Sequence, residues 1–407
     1  MWNNFRGAIP AFSKPSAKIA DLLKNSGSST SKSISLKEGS PNNTESKQIT
    51  GSERSSENAL ESYDNSPLKL KKGFSISILA DNLPGARVLV EDYYGNLWVS
   101  QTGEGKISEI EIENGIAVST KTIFEGLRNP HGLAFDPDDP SILFIAEENK
   151  ISKTDLDGDM TLQKIIDLPP GGRHFTRTII FGPDGSLYVS IGSTCNLCLE
   201  KDKRYAAIYI MKKDGSRFSL FASGLRNSVF MAFNNTTDQL WATEMGRDFL
   251  GDDLPPDEIN IIKEGLNYGW PYCYGKNILD SDFSTSQIAK QITSASEPSY
   301  IDIPAHSAPL GLAFFPETGW PSEYRGDLLV AYHGSWNRSI PTGYKIVRYM
   351  FDNDGSVQGE EDFIAGWLTD NNEVLGRPVD ILFSKDGAIY ISDDKAGVIY
   401  KVILSLK

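Results

Sequence analysis

A hairpin motif that recurs six times along the chain, always in the same phase, constrains the fold more than any other feature. The copies are VLVEDYYGNLWVSQ from Val88, LAFDPDDPSILFIAE from Leu133, IIFGPDGSLYVSIG from Ile179, MAFNNTTDQLWATE from Met231, LAFFPETGWPSEYRGDLLVAY from Leu312 and ILFSKDGAIYISDD from Ile381. Each reads as two β-prone runs around a turn rich in Gly, Pro, Asn and Asp. The starts lie 45, 46, 52, 81 and 69 residues apart. Most copies are followed by a third run, such as KISEIEI, AAIYIMK, DEINIIK or GVIYKVIL. A fourth comes next, as in TKTIFEGL, LQKIIDL and RFSLFASGL. Four short strands in a unit of roughly 40–50 residues is the period of a β-propeller blade. The expected fold is therefore all-β: a six-bladed β-propeller of four-stranded antiparallel blades. A β-sandwich would not hold one phase from Val88 to Leu404. The two long intervals read as loop insertions.

The ends fit a closed ring. GFSISILADNL (Gly73 to Leu83) is a lone strand before the first hairpin, and KVILSLK ends the chain where other blades have a further strand. Pairing the two would remove both exposed edges. The propeller is expected over 67–407. Before it, 1–66 is dominated from Asn25 onward by Ser, Asn, Lys, Glu and Thr, a composition too poor in apolar area to offset ordering, and is expected to be disordered.

Composition excludes some functions. With 39% hydrophobic residues the chain can bury a sizeable core, and its net charge of −14 would repel nucleic acid and anionic membranes. No apolar run approaches the roughly 18 residues needed to span a bilayer, and no secretory h-region is visible near the start. Cys195, Cys198 and Cys273 fall short of a zinc ribbon. The C-x-x-C pair reads either as a local disulfide or as inert thiols. Asn42, Asn234 and Asn337 fit glycosylation acceptors, a pattern common by chance. DLDGDM (Asp155, Asp157, Asp159) has its Gly misplaced for an EF-hand and reads as a turn.

In a propeller the loops that open the blades meet at one end of the central channel. Here they carry Arg87; Arg128, Asn129 and His131; Arg173, His174 and Arg177; Arg226 and Asn227; His306; and Arg377. Three of the chain's four histidines fall at this phase, and the fourth, His333, follows an inner hairpin. Basic groups at one rim of an acidic protein point to an anionic cofactor or substrate, and a histidine there is a natural general base. The plainer alternative is a merely polar rim, each histidine satisfying a loop carbonyl. The acidic loop GDDLPPDEIN (Gly251 to Asn260) reads either as a calcium loop or as a solvated one.

These segments, GGRHFTRTIIFGPDGSLYVSIGSTCN, ASGLRN, LWATEMGRD, PDEINIIKEGLNYGWPYCYG, AHSAPLGLAF, HGSWNR and GRPVDILFSKDGAIYISDD, together resemble the glucose/sorbosone dehydrogenase family. Its members are soluble quinoproteins that oxidise sugars with pyrroloquinoline quinone (PQQ), and the likeness spans Gly73 to Lys407, nearer the sorbosone branch. It implies that His174 takes the proton of the anomeric hydroxyl and that Arg226 stabilises charge on the quinone oxygen. Asn227 would hold the cofactor and Arg377 would pair with one of its carboxylates. It also places Arg173, Arg177, His333 and Trp336 on the cofactor side and His131 and His306 on the substrate side. A Ca²⁺ ion is implied at the backbone of Gly246 and Arg247; apart from the resemblance, the acidic loop offers Asp252, Asp253, Asp257 and Glu258 as candidate carboxylates. The implied partners are a small sugar or aldehyde and an external electron acceptor, and the implied location is periplasmic or extracellular. Val379 stands where the glucose enzymes carry a second arginine, the His333-Gly334 region lacks their lysine, and His131 occupies the loop of a substrate-side glutamine. These departures point away from glucose. Two other readings remain open: a metal-dependent lactonase with His131, His174 and His306 on one ion, and a propeller that only binds.

Overall fold

A computed structural model describes residues 60–62, 66–352 and 354–405. They form six antiparallel β-sheets of propeller-blade order, plus a two-stranded hairpin in an insertion. Innermost strands are Ala86–Glu91, Gly132–Phe135, Ile179–Phe181, Met231–Phe233, Pro309–Phe314 and Pro378–Phe383, numbered here as blades 1 to 6. Each matches one copy of the repeated hairpin. No helix among the described residues is long and apolar enough to cross a membrane.

The second strand of a blade lies between two neighbouring sheets and is covered on both faces. Leu97–Gln101, Leu187–Ile191, Leu240–Glu244, Leu328–Tyr332 and Ile389–Asp393 are buried at every position. That explains their near-continuous apolar sequences. The fourth strands Ile116–Phe124 and Val357–Ala365 are largely exposed at their starts and alternate more.

Ring closure follows the expected pairing. The early strand Phe74–Ala80 is the outermost strand of blade 6, antiparallel to the last strand, Val398–Leu404. Blade 5 carries two additional strands, Leu60–Ser62 and Lys69–Lys71, which extend its outer edge beyond Val357–Ala365. Leu60–Ser62 falls inside the segment expected to be disordered. Residues 1–59 and 63–65 of that segment lie outside the described residues. The long interval after Met231 is an insertion between the third and fourth strands of blade 4, holding the Cys273–Tyr274/Ile278–Leu279 hairpin and a helix over Gln287–Ala295.

Near the rim the innermost strands are bulged. Register shifts fall at Ala86/Leu89, Pro309/Leu312 and Pro378/Ile381, the same place in blades 1, 5 and 6. N–H groups at these bulges are satisfied by side chains. Val88 N donates to Ser100 Oγ (3.1 Å), Asp380 N to Ser392 Oγ (3.0 Å), and Leu89 N crosses to Asp380 Oδ2 of the adjacent blade (2.8 Å). Gly311 lies in one of the bulges, against the next blade's backbone. A Cβ there would stand 2.6 Å from Val379 O and 2.7 Å from Asp380 Cα. Gly311→Ala is therefore expected to cost about 3 kcal/mol, since backbone cannot yield as a side chain can. A denaturation midpoint equal to wild type would refute this close approach.

Candidate active site

The blade-opening loops are shaped by side chains at the ends of the second strands. Glu147 Oε2 accepts from Arg128 N (2.7 Å), Glu244 Oε1 from Asn227 N (2.8 Å) and Asp393 Oδ1 from Arg377 N (2.8 Å). In blade 1 the roles invert, with Gln101 Nε2 donating to Pro84 O (3.1 Å). Each rim residue thus has its main chain tied to its own blade while its side chain is free to reach a neighbour.

Arg173, His174, Arg226, Asn227, His306 and Trp336 face a single cleft of about 220 Å³, contributed by blades 3, 4 and 5. His174 Nδ1 lies 3.1 Å from Ser193 O and 2.9 Å from Ser193 Oγ. A carbonyl only accepts, and the Ser193 hydroxyl already donates to Cys195 O (2.7 Å). Nδ1 must therefore carry the proton, which leaves Nε2 with a lone pair. Burial, then the charges of Arg226 and Arg173, hold this imidazole's pKa well below 6.5. The ring is neutral and basic at Nε2. Gly192 makes its seat possible: a Cβ there would meet His174 Cβ at 2.6 Å and Asn227 Oδ1 at 2.8 Å.

Arg226 is almost fully buried and tightly held. Its Nε donates to Asn196 O (3.0 Å), Nη2 to Asn196 Oδ1 (2.8 Å) and Nη1 to Met245 O (3.2 Å). The other N–H of Nη1 has no partner among the described residues. Asp248 is the hub of the cleft. Its Oδ2 pairs with Arg173 Nη2 (2.8 Å) and Arg226 Nη2 (3.4 Å), and its Oδ1 accepts from Asn337 Nδ2 (2.9 Å). One carboxylate thus ties three blades together, and Asn337, a sequon residue, is engaged inside the cleft. Asp257 also lines it, accepting from Gly246 N and Ala308 N (both 2.8 Å), with burial pushing its pKa up to about 7. His306 Nε2 donates to Gly251 O (2.8 Å). Over the mouth, exposed Trp336 meets Phe249 edge to face at 6.3 Å.

A second basic group spans blades 5, 6 and 1. His333 Nε2 reaches both oxygens of Asp394 (2.9 and 3.0 Å), and Arg87 Nη1 pairs with Asp394 Oδ2 (2.8 Å). Arg377 donates through Nε to His333 O (3.0 Å) and through Nη2 to Gly334 O, over the Tyr344 ring. Burial, then the charge of Arg377, brings the His333 pKa down to about 4, so the ring is neutral and donates to the carboxylate. Residues 333–337 form one loop linking this group to the cleft, but His333 and Arg377 do not line the cleft itself.

Four expected site residues stand elsewhere. Arg177, 0% exposed, lies under its loop and donates to the carbonyls of His174, Thr176 and Pro169. It holds the base's main chain and cannot touch a ligand. His131 is equally buried: Thr178 Oγ1 donates to Val229 O and so accepts from His131 Nδ1 (3.1 Å), away from the cleft. Glu258 lines an adjoining cavity of about 20 Å³ together with Gly246, Arg247 and Arg226, its oxygens taken by Asn260 Nδ2 (2.9 Å) and Gly275 N (2.6 Å). Asp252 accepts from Ser339 N (3.1 Å) on an outer loop. Neither joins a three-ligand cluster. Among the described residues the one such group is Cys195, Cys198 and Glu200, and those cysteines form a disulfide. His131, His174 and His306 do not converge on one ion, so the lactonase geometry is absent. The backbone carbonyls of Gly246 and Arg247 accept no hydrogen bond among the described residues.

Sequence reasoning passed over Ser193, Asn196 and Asp248. Ser193 had a usable signal, because it follows the end of a second strand by two residues, close to the phase at which Gln101, Glu147, Glu244 and Asp393 end theirs.

Residues 68–405 match the TrAA12-like family. An uncharacterised protein of Borreliella burgdorferi is 32% identical over 355 residues, which are 83% of this chain and 91% of that protein. A pyrroloquinoline quinone-dependent pyranose dehydrogenase of Coprinopsis cinerea is 26% identical over 82% of this chain, which spans about half, 54%, of that enzyme. The solved PQQ domain of a Coprinopsis cinerea pyranose dehydrogenase superposes with a TM-score of 0.70 at 21% identity, covering 83% of this chain and 97% of that one. A Trichoderma reesei carbohydrate-active enzyme of family AA12 gives 0.72 at 21% identity, with the same coverage.

Proposed function

Because the chain belongs to the TrAA12-like family, among the soluble quinoprotein sugar dehydrogenases, we propose that it oxidises an aldose at C1 in the cleft around His174. The observation that carries the reading is one cavity that joins a neutral imidazole lone pair to a partly satisfied guanidinium. The lining suits PQQ, a flat tricarboxylate. Arg173, Arg226, Asn227 and Asn337 offer N–H groups, and the exposed indole of Trp336 offers a flat apolar face. Arg377, in the adjoining group, would take an outlying carboxylate. The open carbonyls of Gly246 and Arg247 are hard oxygen donors of the kind Ca²⁺ takes.

When bound, the quinone supplies the two-electron acceptor for the sugar's C1 hydride. His174 Nε2 accepts the proton of the anomeric hydroxyl, and Ser193 keeps that lone pair aimed into the cleft. The second N–H of Arg226 Nη1, unpartnered among the described residues, would offer a preorganised donor to charge developing on the cofactor, because the other contacts of the group fix it. Arg177 holds the loop from beneath. The Phe249–Trp336 pair at the mouth suits the apolar face of a pyranose.

Calorimetric titration of PQQ with Ca²⁺ is expected to show saturable binding, weakened when Ca²⁺ is chelated. Arg226→Met should reduce affinity on the order of tenfold or more, the worth of a charge-assisted hydrogen bond. The reconstituted protein should then reduce a dye acceptor with aldoses. Absence of any PQQ binding would overturn the assignment.

A further inference from the structure

The two groups given chemical roles above rest on one four-residue loop. Cys195 and Cys198 are joined by a disulfide, in the irregular segment between strands Leu187–Ile191 and Ala207–Met211. The Cys195 carbonyl accepts the Ser193 hydroxyl proton, the contact that obliges Ser193 Oγ to accept from His174 Nδ1. Inside the disulfide ring, Asn196 is spent on the cleft. Its backbone O accepts from Arg226 Nε (3.0 Å), and its Oδ1 accepts from Arg226 Nη2 (2.8 Å) and from Asp248 N (2.8 Å). Its Nδ2 donates to Asp248 O (3.2 Å). Base, guanidinium and hub therefore all take their orientation from residues 193–196.

We propose that Asn196 is a positioning residue for Arg226, and that the Cys195–Cys198 bond, by fixing the Asn196 backbone, holds the seat of Arg226. The bond restricts the Cys195 carbonyl and the Asn196 backbone to one arrangement. Without it the segment keeps backbone–backbone ties only at its start, from Arg173 N to Thr194 O (2.9 Å), from His174 N to Ser193 O (3.2 Å) and from Ser193 N to Arg226 O (2.7 Å). Both cysteines are half-buried, within reach of a small dithiol. In the exchange a reagent thiolate attacks one sulfur and the Cys195–Cys198 bond breaks. The second reagent thiol then displaces the mixed disulfide. Two electrons and two protons pass to the cysteines, and the reagent leaves as its cyclic disulfide.

The roles of His174 and Arg226 rest on the proposed function, but the first readout does not. In the apo protein labelled with ¹⁵N-arginine, the Arg226 Nε–H, assigned by its loss in Arg226→Met, is expected to exchange slowly with solvent, because Asn196 O accepts it. Full reduction by dithiothreitol, verified by two new titratable thiols and an unchanged far-ultraviolet spectrum, should speed that exchange, and reoxidation should restore it. PQQ affinity should fall roughly 10- to 100-fold on reduction, the scale of a small misplacement of positioned groups. Asn196→Ala, with its disulfide and its backbone carbonyl intact, should weaken PQQ binding in the same range while leaving the Nε–H exchange slow. A reduced protein whose Arg226 Nε–H still exchanges slowly would refute the link between the disulfide and Arg226. Unaltered PQQ binding in Asn196→Ala would refute the role of Asn196. Absence of PQQ binding in every form would sink the functional assignment and leave the exchange result to decide the rest.

Discussion

His174→Gln is expected to lower kcat by roughly two to four orders of magnitude, the worth of a positioned general base, with little change in PQQ affinity. Glutamine fills similar space but has no lone pair of comparable basicity. Because burial and two arginines depress the His174 pKa, the wild-type rate should hold well below pH 6.5 before its acid limb begins. A limb at or above 6.5, or a glutamine variant turning over normally, would remove His174 from the chemistry. The same shift affects stability. His131, His174 and His333 all have folded pKa values below that of the unfolded side chain, so their contribution is complete above about pH 6.5 and is lost as the pH falls. Buried Glu244, raised to about 8, and Asp257 and Asp380, each raised to about 7, act in the opposite sense. Their stabilising share is present in acid and is lost as the pH climbs through neutrality. The melting temperature should therefore fall as the pH climbs from about 6.5 to 8, where the histidines no longer change charge and the buried carboxylates still do.

Asp248→Ala is expected to cost about 3 kcal/mol, because it leaves buried Arg226 without its countercharge. It should also loosen Arg173, Asn337 and the 245–253 loop, and so weaken PQQ binding. If the charge is the cause, adding Arg226→Met to Asp248→Ala should recover part of the stability, as a double-mutant cycle would show. A single variant that unfolds at the wild-type denaturant concentration would show that the hub carries no net stabilisation.

The fold was legible because a hairpin repeated in phase is a long-range pattern, and each innermost strand lies where its copy begins. The site was legible only in outline. His174, Arg226 and Asn227 share the repeat phase and meet in the cleft, whereas Arg177, in the same short run as Arg173, turns inward. Four residues of irregular loop decide which arginine faces the ligand, and no periodicity reports that. Asp248 was invisible for another reason. Its partners come from positions 173, 226 and 337, and a lone aspartate beside Arg247 gives no sign that three blades close on it. The C-x-x-C pair offered only its spacing, whereas its importance lies in what Asn196 touches. Leu60–Ser62 is too short, and its surroundings too polar, to announce a strand.

The clasp in blade 6 joins Phe74–Ala80 to Val398–Leu404, with five blades of chain between them. As the chain leaves the ribosome, Phe74–Ala80 must wait, unpaired along that edge, until those blades have emerged. Blades 1 to 5 can assemble in order, yet the circle cannot be sealed until Val398–Leu404 has been made. A ribosome stalled even a few codons short of Val398–Leu404 would hold an open crescent, and cutting the clasp from either side should do the same.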